Sequence, residues 1–371
     1  MSAGLNFEVA TAATEAQLRK LLRDNPLSGE IRVSLEREPD AFHAARISGD
    51  EFQLMLAFAG ESRKLVASGA RFEFTAYVNG ACRRIGYFAE LRADGGLKQR
   101  RTLLLESYRT MHVYHESGNV PYYLTTIIAD NFAARRLLEA RLSDMPTYQP
   151  LETMVTFTIP TKSAARGRWP TRRIDAATDQ QLVEIAEMLA HTGPDYQFHP
   201  VWSESTLRSE ARCRDLSPQN FFLCRDGDRL RGCLALWDQR SFKQTVIRNY
   251  ARRLKAIRPV FNVVAPLLRR PRLPSPGAKL ESAFLSHMAV APDDPDTLVA
   301  LIREACCHAL ERGLDYVMIA VAERNPLSAV IRKRFPCHSY VSMVYVVYWD
   351  DGESEASKLD GRLPHPEMAI L

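Results

Sequence analysis

The sequence predicts an α/β protein made of two similar halves, each with a mixed, mostly antiparallel central sheet flanked by helices. Three observations predict this fold class. The chain of 371 residues is long for a single hydrophobic core. One order of helix, strand and helix patterns occurs twice, and each occurrence follows hairpin-like strands, which is typical of an internal duplication.

Hairpin strands come first in each half. FEFTAYVNGACRRIGYFAEL alternates apolar and polar residues around Asn79-Gly80, and FFLCRDGDRLRGCLALWD does so around Asp226-Gly227. Tight hairpin turns prefer Asn-Gly and Asp-Gly. Both segments therefore predict two antiparallel strands.

The repeated block follows, with a glycine ending its first helix. A helical pattern from about Thr102 ends at Gly118 and is followed by the strand YYLTTIIAD and the helix NFAARRLLEARL. In the second half the helix TLVALIREACCHALER ends at Gly313 and is followed by DYVMIAVAE and NPLSAVIRKRF. Each half then closes on a strand-like run, ETMVTF (152–157) or VSMVYV (341–346).

A linker divides the two halves. The segment IPTKSAARGRWPTRR combines two prolines, a glycine and five basic residues without hydrophobic periodicity. We therefore expect domains at 1–160 and 173–350, a linker at 161–172 and a C-terminal tail at 351–371.

Composition excludes several classes of protein. The net charge of +5 is too small to indicate nucleic-acid binding, and no apolar run approaches the ~18 residues of a membrane span. Seven cysteines without a CxxC pair indicate a reducing compartment. The first residues lack the pattern of a signal peptide, so we expect a cytoplasmic location.

The stretch ELRADGGLKQRRTLL combines two features that disfavour the start of a helix. Its glycines are poor helix formers, and its basic side chains meet the positive end of the helix dipole. Both features become favourable if the helix start faces an anion, because glycine lets backbone N–H groups approach phosphate oxygens and arginine neutralises their charge. A solvated basic turn is the alternative. The residues concerned are Gly95, Gly96, Lys98, Arg100 and Arg101.

With the elements around it, this turn resembles that of the GNAT superfamily of acyl-coenzyme A-dependent N-acyltransferases. The family pattern, Arg/Gln-x-x-Gly-x-Gly/Ala, lies between its fourth strand and third helix. Residues 92–97 match its first Arg and its glycine but end in Leu97. The resemblance covers most of residues 1–160 and, more weakly, residues 173–350. A later family pattern, Asn-x-x-Ala-x-x-Leu, is matched by Asn131, Ala134 and Leu137.

The resemblance implies two tandem GNAT-like domains, with acetyl-CoA or another acyl-CoA as co-substrate in the first half and no metal. The strand before the turn would pair with the pantetheine arm, and the turn would hold the pyrophosphate. Asn131 would lie beside the arm or simply begin the next helix. The residues implied for binding are Ala89, Leu91, Arg92, Gly95, Gly96, Leu97, Lys98, Arg100, Arg101 and Asn131.

N-acyl transfer needs a base for the amine and a proton donor for the departing thiolate. Glu90, at the end of the fourth strand, is the candidate general base, directly or through water, although the alternation also permits an exposed edge position. Many relatives have a tyrosine general acid where this chain has Leu138. Tyr122, Tyr123 or Tyr148 could replace it, and the sequence does not select among them.

The corresponding turn of the second half, VAPDDPDTLV, has no glycine, three aspartates and two prolines, which lack N–H donors. The aspartates would repel a pyrophosphate. We therefore expect a plain capped helix there, with the cofactor in the first half.

His112 and His115 lie three residues apart on a helix and could share a metal. No third or fourth ligand clusters near them in the sequence, so we expect a plain helix surface.

Residues 241–279 form a basic insertion that the duplication does not explain. They hold ten Lys or Arg and no Asp or Glu. QTVIRNYARRLKAIRPVFNVVAPLL is helix-like and amphipathic, with breaks at Pro259 and Pro266, and a proline-rich loop follows. The segment is either a solvated face or a docking site for an acidic acyl carrier, an anionic membrane or an anionic substrate.

The sequence thus predicts direct N-acyl transfer, with acetyl as the expected group, to a primary amine of a small molecule or peptide. The acceptor pocket is expected to include DNPLSGEIRVSLEREPDAF (24–42). Two alternatives stay open: a catalytically silent GNAT-like module that binds coenzyme A or an amine, and an interaction protein that uses the basic insertion.

Overall fold

A computed structural model describes residues 4–27, 29–96, 100–118, 120–166, 172–267 and 270–371. The elements of the first half are β1 (Leu5–Val9), α1 (Glu15–Asp24), β2 (Ile31–Glu36), α2 (Ala41–Ser48), β3 (Glu51–Ala59), β4 (Lys64–Val78), β5 (Ala81–Ala93), α3 (Arg100–Glu116), β6 (Tyr123–Ile128), α4 (Phe132–Leu138) and β7 (Thr147–Pro160).

The second half follows a short helix, α5 (Thr161–Ala164). Its elements are β8 (Arg173–Ala176), α6 (Leu182–Thr192), β9 (Tyr196–Gln197), α7 (Glu204–Leu207), β10 (Phe221–Asp226), β11 (Arg229–Trp237), β12 (Gln244–Tyr250), α8 (Arg252–Val264), β13 (Ser282–Val290), α9 (Pro295–Glu311), β14 (Tyr316–Ala322), α10 (Pro326–Arg334), β15 (His338–Tyr348), α11 (Glu353–Ala356) and β16 (Leu363–Pro364).

Twelve strands form one sheet that runs through both halves. Their order is β1-β3-β4-β5-β6-β15-β7-β14-β13-β11-β10-β8. The pairs β5–β6 and β13–β14 are parallel, and the other pairs of this sheet are antiparallel. The prediction of a mixed, mostly antiparallel sheet flanked by helices is therefore confirmed.

The two halves exchange their last strands. β7 of the first half pairs with β14, β15 of the second half pairs with β6, and β7 and β15 pair with each other between them. Because one sheet spans both halves, the domain division at 161–172 stays a prediction. Thr161 and Ala164 of α5 are buried within this range, and residues 167–171 lie outside the described part of the chain.

Helices cover the sheet through two large apolar clusters. In one, α1 and α2 pack on β3, β4 and β5. In the other, α9 and α10 pack on β7, β13 and β14. Cys306 of α9 is buried in the second cluster and Cys307 is half-buried, as their helical packing role predicts, and all seven cysteines are free.

Both predicted hairpins are present. Val78 pairs with Ala81 across the first turn, where Asn79 and Gly80 have φ of 50° and 82°. In the second turn Gly227 has φ of 59°. These left-handed conformations are the ones that Asn and Gly adopt most readily.

Two predicted helices differ from the structure. NFAARRLLEARL is helical only to Leu138, because Arg141 and Asp144 have φ of 46° and 67°, which a right-handed helix cannot contain. In the insertion, QTVIRNY is not a helix but the strand β12, which pairs antiparallel with β2 in a separate two-stranded sheet. Helix α8 begins after it and continues through Pro259.

The last residues of the chain are packed inside the molecule. β16 pairs with β9, and the side chains beyond it return to the interior. Among the described residues, no helix is long and apolar enough to cross a membrane. The buried residues of this C-terminal segment are His365, Glu367, Ala369 and Ile370.

Candidate active site

The site is built on a gap between two parallel strands. β5 and β6 pair at Gly86–Tyr123 and Tyr87–Leu124 and then separate. A Cβ on Gly86 would lie 2.0 Å from the Tyr123 ring, so glycine is needed for the strands to meet there. Farther along, the hydroxyl of Thr125 donates to the carbonyl of Phe88 at 2.8 Å, so a side chain bridges the opening strands.

A β-bulge in β5 lies at this gap. The register shifts between Ser68 and Ala70, so that Glu90 and Leu91 face Gly69, and Glu90 has φ of 54°. Bulges of this kind re-aim a side chain.

A cavity of about 600 Å³ extends from the gap, and most of the side chains that line it are apolar. Its walls come from β4, β5, β6, α3 and α4, with Phe284 and Met318 from the second half and Met368 and Leu371 from the C-terminal segment. The cavity therefore lies where both halves and the C-terminal segment meet.

Part of the cavity wall comes from β2. Ile31, Val33 and Leu35 line it, and all three belong to the stretch 24–42 that was expected to contribute pocket residues. That this stretch forms the acceptor pocket stays a prediction.

The predicted binding residues divide into two groups. Neither Leu97 nor Lys98 is within the part of the chain that the structure describes. Those at the turn and the start of α3 are exposed: Gly95, Gly96, Arg100 and Arg101. Those that line the cavity are Ala89, Leu91, Arg92 and Asn131, together with Glu90.

At the turn, both glycine N–H groups have oxygen partners. Gly95 donates to Asn25 Oδ1 at 3.2 Å and Gly96 to Asp94 Oδ1 at 3.0 Å. Neither glycine has a left-handed backbone, and a Cβ on Gly95 would meet no atom within 4 Å. The protein's own packing therefore does not require glycine here.

Asn131 combines the two roles considered for it. Its Oδ1 accepts a hydrogen bond from the Ala134 N–H at 3.2 Å, which caps α4, and the residue lines the cavity. The cap thus positions Asn131 at the wall.

Glu90 lies at the cavity wall with an arginine beside it. Arg37 Nε donates to Glu90 Oε1 at 2.8 Å, and both residues line the cavity. Arg37 follows β2 as one charged residue among several, and nothing in the sequence singled it out.

Of the three candidate tyrosines, Tyr148 lines the cavity. Its hydroxyl is hydrogen-bonded to that of Tyr108, which also lines it. Burial raises the pKa of Tyr148 well above its usual value and that of Tyr108 to about 12, so both phenols are protonated at neutral pH. Tyr122 is buried in the core cluster that α1 and α2 cover, and Tyr123 is in the network that includes His115.

His115 is not on the helix surface, contrary to expectation. It is buried, with Nδ1 3.1 Å from the Tyr123 hydroxyl and Nε2 3.0 Å from Asp351 Oδ2. Arg71 Nε donates to the same hydroxyl at 2.9 Å. Within the described ranges, no group of three His, Cys, Asp or Glu side chains is arranged to hold a metal ion.

A second group of charged residues that the sequence did not indicate lies behind the cavity. The Lys243 ammonium donates to the Ala369 carbonyl at 3.0 Å, and burial, with Arg37 adding to the effect, lowers the pKa of Lys243 to about 7. Burial raises the pKa of Glu367 to about 7. Both residues hold the C-terminal segment in place.

The second half also has a gap between two parallel strands. There, Glu367 of the C-terminal segment lies at the bulge that corresponds to the one at Glu90. β13 and β14 pair at three positions and then separate, and His287, with φ of 51°, lies at a bulge in β13. The His287 N–H donates to Glu367 Oε2 at 2.8 Å. Asp294 caps α9 by accepting from the Thr297 N–H at 3.2 Å, so the expected capped helix is confirmed.

No family model and no curated protein sequence matches the chain. Among solved structures, the chain is similar to N-myristoyltransferase from Saccharomyces cerevisiae with bound myristoyl-CoA, with a TM-score of 0.58 and 13% identity over 94% of this chain and 83% of that chain. GCN5-related N-acetyltransferases from Anabaena variabilis and Kribbella flavida align with TM-scores of 0.48 at 11% and 10% identity, covering 92% and 93% of this chain and 72% and 71% of theirs. The chain has the GNAT fold in the two-part form of N-myristoyltransferase, which confirms the inferred resemblance at the level of fold.

Proposed function

We propose that this protein is an acyl-CoA-dependent N-acyltransferase whose donor binds in the first half. The observation that carries the proposal is the gap between β5 and β6, which has a bulge at its edge and opens into a mostly apolar cavity. Acyl transfer needs the thioester and the amine held together where water is excluded. The structural neighbour from yeast binds myristoyl-CoA, which is a donor of the same class.

In this proposal the pantetheine arm lies along β5 from Ala89 to Arg92. The pyrophosphate lies at the turn, where the N–H groups of Gly95 and Gly96 exchange their side-chain partners for phosphate oxygens. The positive charges that neutralise the phosphates come from Lys98, Arg100 and Arg101. Leu97 lies between the glycines and Lys98 in the sequence.

We also propose an acyl chain longer than the acetyl group expected from the sequence. A cavity of about 600 Å³ falls within the ~300–1,000 Å³ of small-molecule sites. The pantetheine arm would cover the β5 part of the cavity wall, and an acetyl group would cover little of the rest. Each methylene that the cavity buries contributes about 0.8 kcal/mol, so a longer chain binds more tightly until the space is filled.

The reaction forms a C–N bond and breaks the thioester C–S bond. The amine nitrogen attacks the thioester carbonyl carbon, Glu90 takes the proton that the amine loses, and the coenzyme leaves as a thiolate. Tyr148 then gives its phenolic proton to the thiolate sulfur, and the proton on Glu90 returns through water to the phenolate. Burial raises the pKa of Tyr148, so the phenol carries its proton when the thiolate forms.

The pairing of Glu90 with Arg37 also supports the second candidate, a silent acyl-CoA-binding module. An arginine that holds the carboxylate competes with an amine proton for the same oxygen atoms. The two candidates differ in turnover, not in acyl-CoA binding.

The test is release of free coenzyme A thiol from acetyl- to myristoyl-CoA, with small primary amines and peptides as acceptors. Glu90→Gln should lower kcat by roughly 10²–10⁴-fold and leave the Kd for acyl-CoA unchanged, because general-base catalysis contributes this much. Glu8→Gln is the matched control, since Glu8 pairs with Arg63 at the surface at 2.8 Å. Acyl-CoA binding without turnover on any acceptor would establish the silent module, and no acyl-CoA binding would refute both candidates.

A further inference from the structure

Helix α8 has an apolar stripe that no other part of the described chain covers. None of the residues of α8 is buried. The side chains of Val260, Val263 and Leu267 are 69%, 75% and 82% exposed. Ile257 and Val264 are exposed beside them.

The spacing of the four side chains within α8, those of Ile257, Val260, Val263 and Val264, puts them on one side of the helix, and Leu267 follows the helix end. At 3.6 residues per turn they cover an arc of about 120°, which is the width of an apolar stripe that normally faces a core. No such core lies over it among the described residues.

The opposite side of α8 is fastened to the protein by polar contacts. Arg258 Nε donates to the Leu273 carbonyl at 3.1 Å, and Asn262 exchanges two hydrogen bonds with the Leu273 backbone at 3.0 and 2.8 Å. These contacts hold the helix so that its apolar stripe faces away from the protein.

Positive charge accompanies the stripe. Arg252, Arg253 and Lys255 are exposed in the first turn of α8. The whole segment 241–279 contains ten Lys or Arg and no Asp or Glu, although Arg248 pairs with Glu36 of β2. A partner for this surface must therefore be both negatively charged and apolar.

The helix also lies next to the candidate active site. It starts directly after β12, where Tyr250 pairs with Ile31 of β2. Ile31 lines the cavity and is partly exposed. Whatever α8 binds is therefore close to the β2 wall of the cavity.

We propose that α8 binds the surface of an anionic membrane and lies in its plane, with the stripe among the lipid acyl chains and the basic residues at the phosphates. Amphipathic helices with basic polar edges bind in this way. The 13 residues of α8 span about 20 Å, which is shorter than the ~30 Å of a bilayer core, so the helix lies on the membrane rather than across it. An acidic carrier protein would match the charge but leave the aliphatic stripe in water.

The test is flotation of the full chain with vesicles of phosphatidylcholine alone or with about 30% phosphatidylglycerol, an anionic lipid. Wild type should float with the anionic vesicles only. Arg252→Ala/Arg253→Ala should bind them roughly 30-fold more weakly, which corresponds to about 1 kcal/mol for each basic residue near the surface. Val260→Asp/Val263→Asp should bind more than tenfold more weakly, and both side chains are exposed, so folding should be unaffected.

The matched control is Val113→Asp on α3, because Val113 is 63% exposed and outside the basic insertion. It should bind the anionic vesicles like wild type. Failure of wild type to float would overturn the proposal. So would wild-type binding by Val260→Asp/Val263→Asp with loss in the arginine variant, because that result identifies a site for a soluble polyanion such as an acidic carrier.

Discussion

The most direct test of the cavity is to shorten it from the side of β4. Gly69 lines the cavity opposite the bulge, and its backbone is in an ordinary conformation. A Cβ there would meet Met111 Cε at 3.7 Å and Leu91 Cδ1 at 3.9 Å, which are ordinary contacts. A side chain at position 69 therefore has room at its Cβ, and we expect Gly69→Leu to extend into the cavity; circular dichroism and thermal unfolding check that the variant folds.

The expected change in Kd follows from the free energy that each buried methylene contributes to binding. In wild type, each two-carbon extension of the acyl chain should strengthen binding by about 1.6 kcal/mol, or roughly 15-fold, until the cavity is full. A leucine side chain occupies the space of about four methylenes, so Gly69→Leu should remove about 3 kcal/mol of the advantage of a long chain, roughly 100-fold in Kd. Acetyl-CoA has no long acyl chain to lose this contribution, so Gly69→Leu should change its Kd much less than that of the long-chain donors.

The assay is calorimetric titration of acetyl-, octanoyl-, decanoyl- and myristoyl-CoA into wild type, Gly69→Leu and Gly361→Leu. Gly361 is a suitable control because a Cβ there meets no atom within 4 Å and the residue is exposed. Equal Kd values for all four donors in wild type would refute the assignment of the cavity to the acyl chain. The same conclusion would follow if Gly69→Leu weakened acetyl-CoA as much as decanoyl-CoA.

Three further outcomes are expected. Arg100→Ala/Arg101→Ala should weaken acyl-CoA binding by about 2–4 kcal/mol in calorimetry, from two lost charge-assisted hydrogen bonds, and an unchanged Kd would contradict the pyrophosphate site. Tyr148→Phe should lower kcat with KM unchanged in the thiol-release assay, whereas wild-type turnover would exclude Tyr148 as the proton donor. Between about pH 4.5 and 6.5 the free energy of unfolding, measured by urea titration, should rise by about 3 kcal/mol per pH unit. Burial lowers the pKa of three imidazoles, so each of them takes up a proton on unfolding. Burial raises the pKa of Glu367 to about 7, so this carboxyl releases a proton on unfolding and offsets one of the three. The three imidazoles are those of His199, His287 and His365, whose pKa values burial lowers to about 4, 3 and 3. A free energy of unfolding that does not change with pH would show that these imidazoles are solvated.

The local parts of the fold could be predicted from the sequence. Asn79-Gly80 and the strands around it are specified by residues within a few positions of each other, and so are the helix stops at Gly118 and Gly313. The same holds for the aspartate cap of α9.

The parts that depend on distant partners could not be predicted. QTVIRNY is a strand only because β2, more than 200 residues earlier, supplies its backbone partner. His115 is buried because Tyr123 and Asp351 surround it, and Asp351 is far away in the sequence. Hydrophobic periodicity contains no information about such pairings.

The residues of the candidate site also divide into those recognisable from local sequence and those that depend on distant parts of the chain. Glu90, Asn131 and the turn glycines could be recognised from a local pattern. Arg37 and Leu371 reach the cavity from the two ends of the chain, through a β2 strand that pairs with the insertion and a C-terminal segment fastened by Lys243. No motif marks either residue, because their role depends only on where the fold brings them.

The exchange of β7 and β15 has a consequence for biosynthesis. β6 ends at Ile128 and its partner β15 starts at His338, so about 210 residues separate the two strands. At ~5–20 residues per second, the edge of β6 stays unpaired on the ribosome for roughly 10–40 s after it emerges. An unpaired strand edge is a template for pairing with other chains, so the first half exposes an aggregation-prone edge until the second half has been translated.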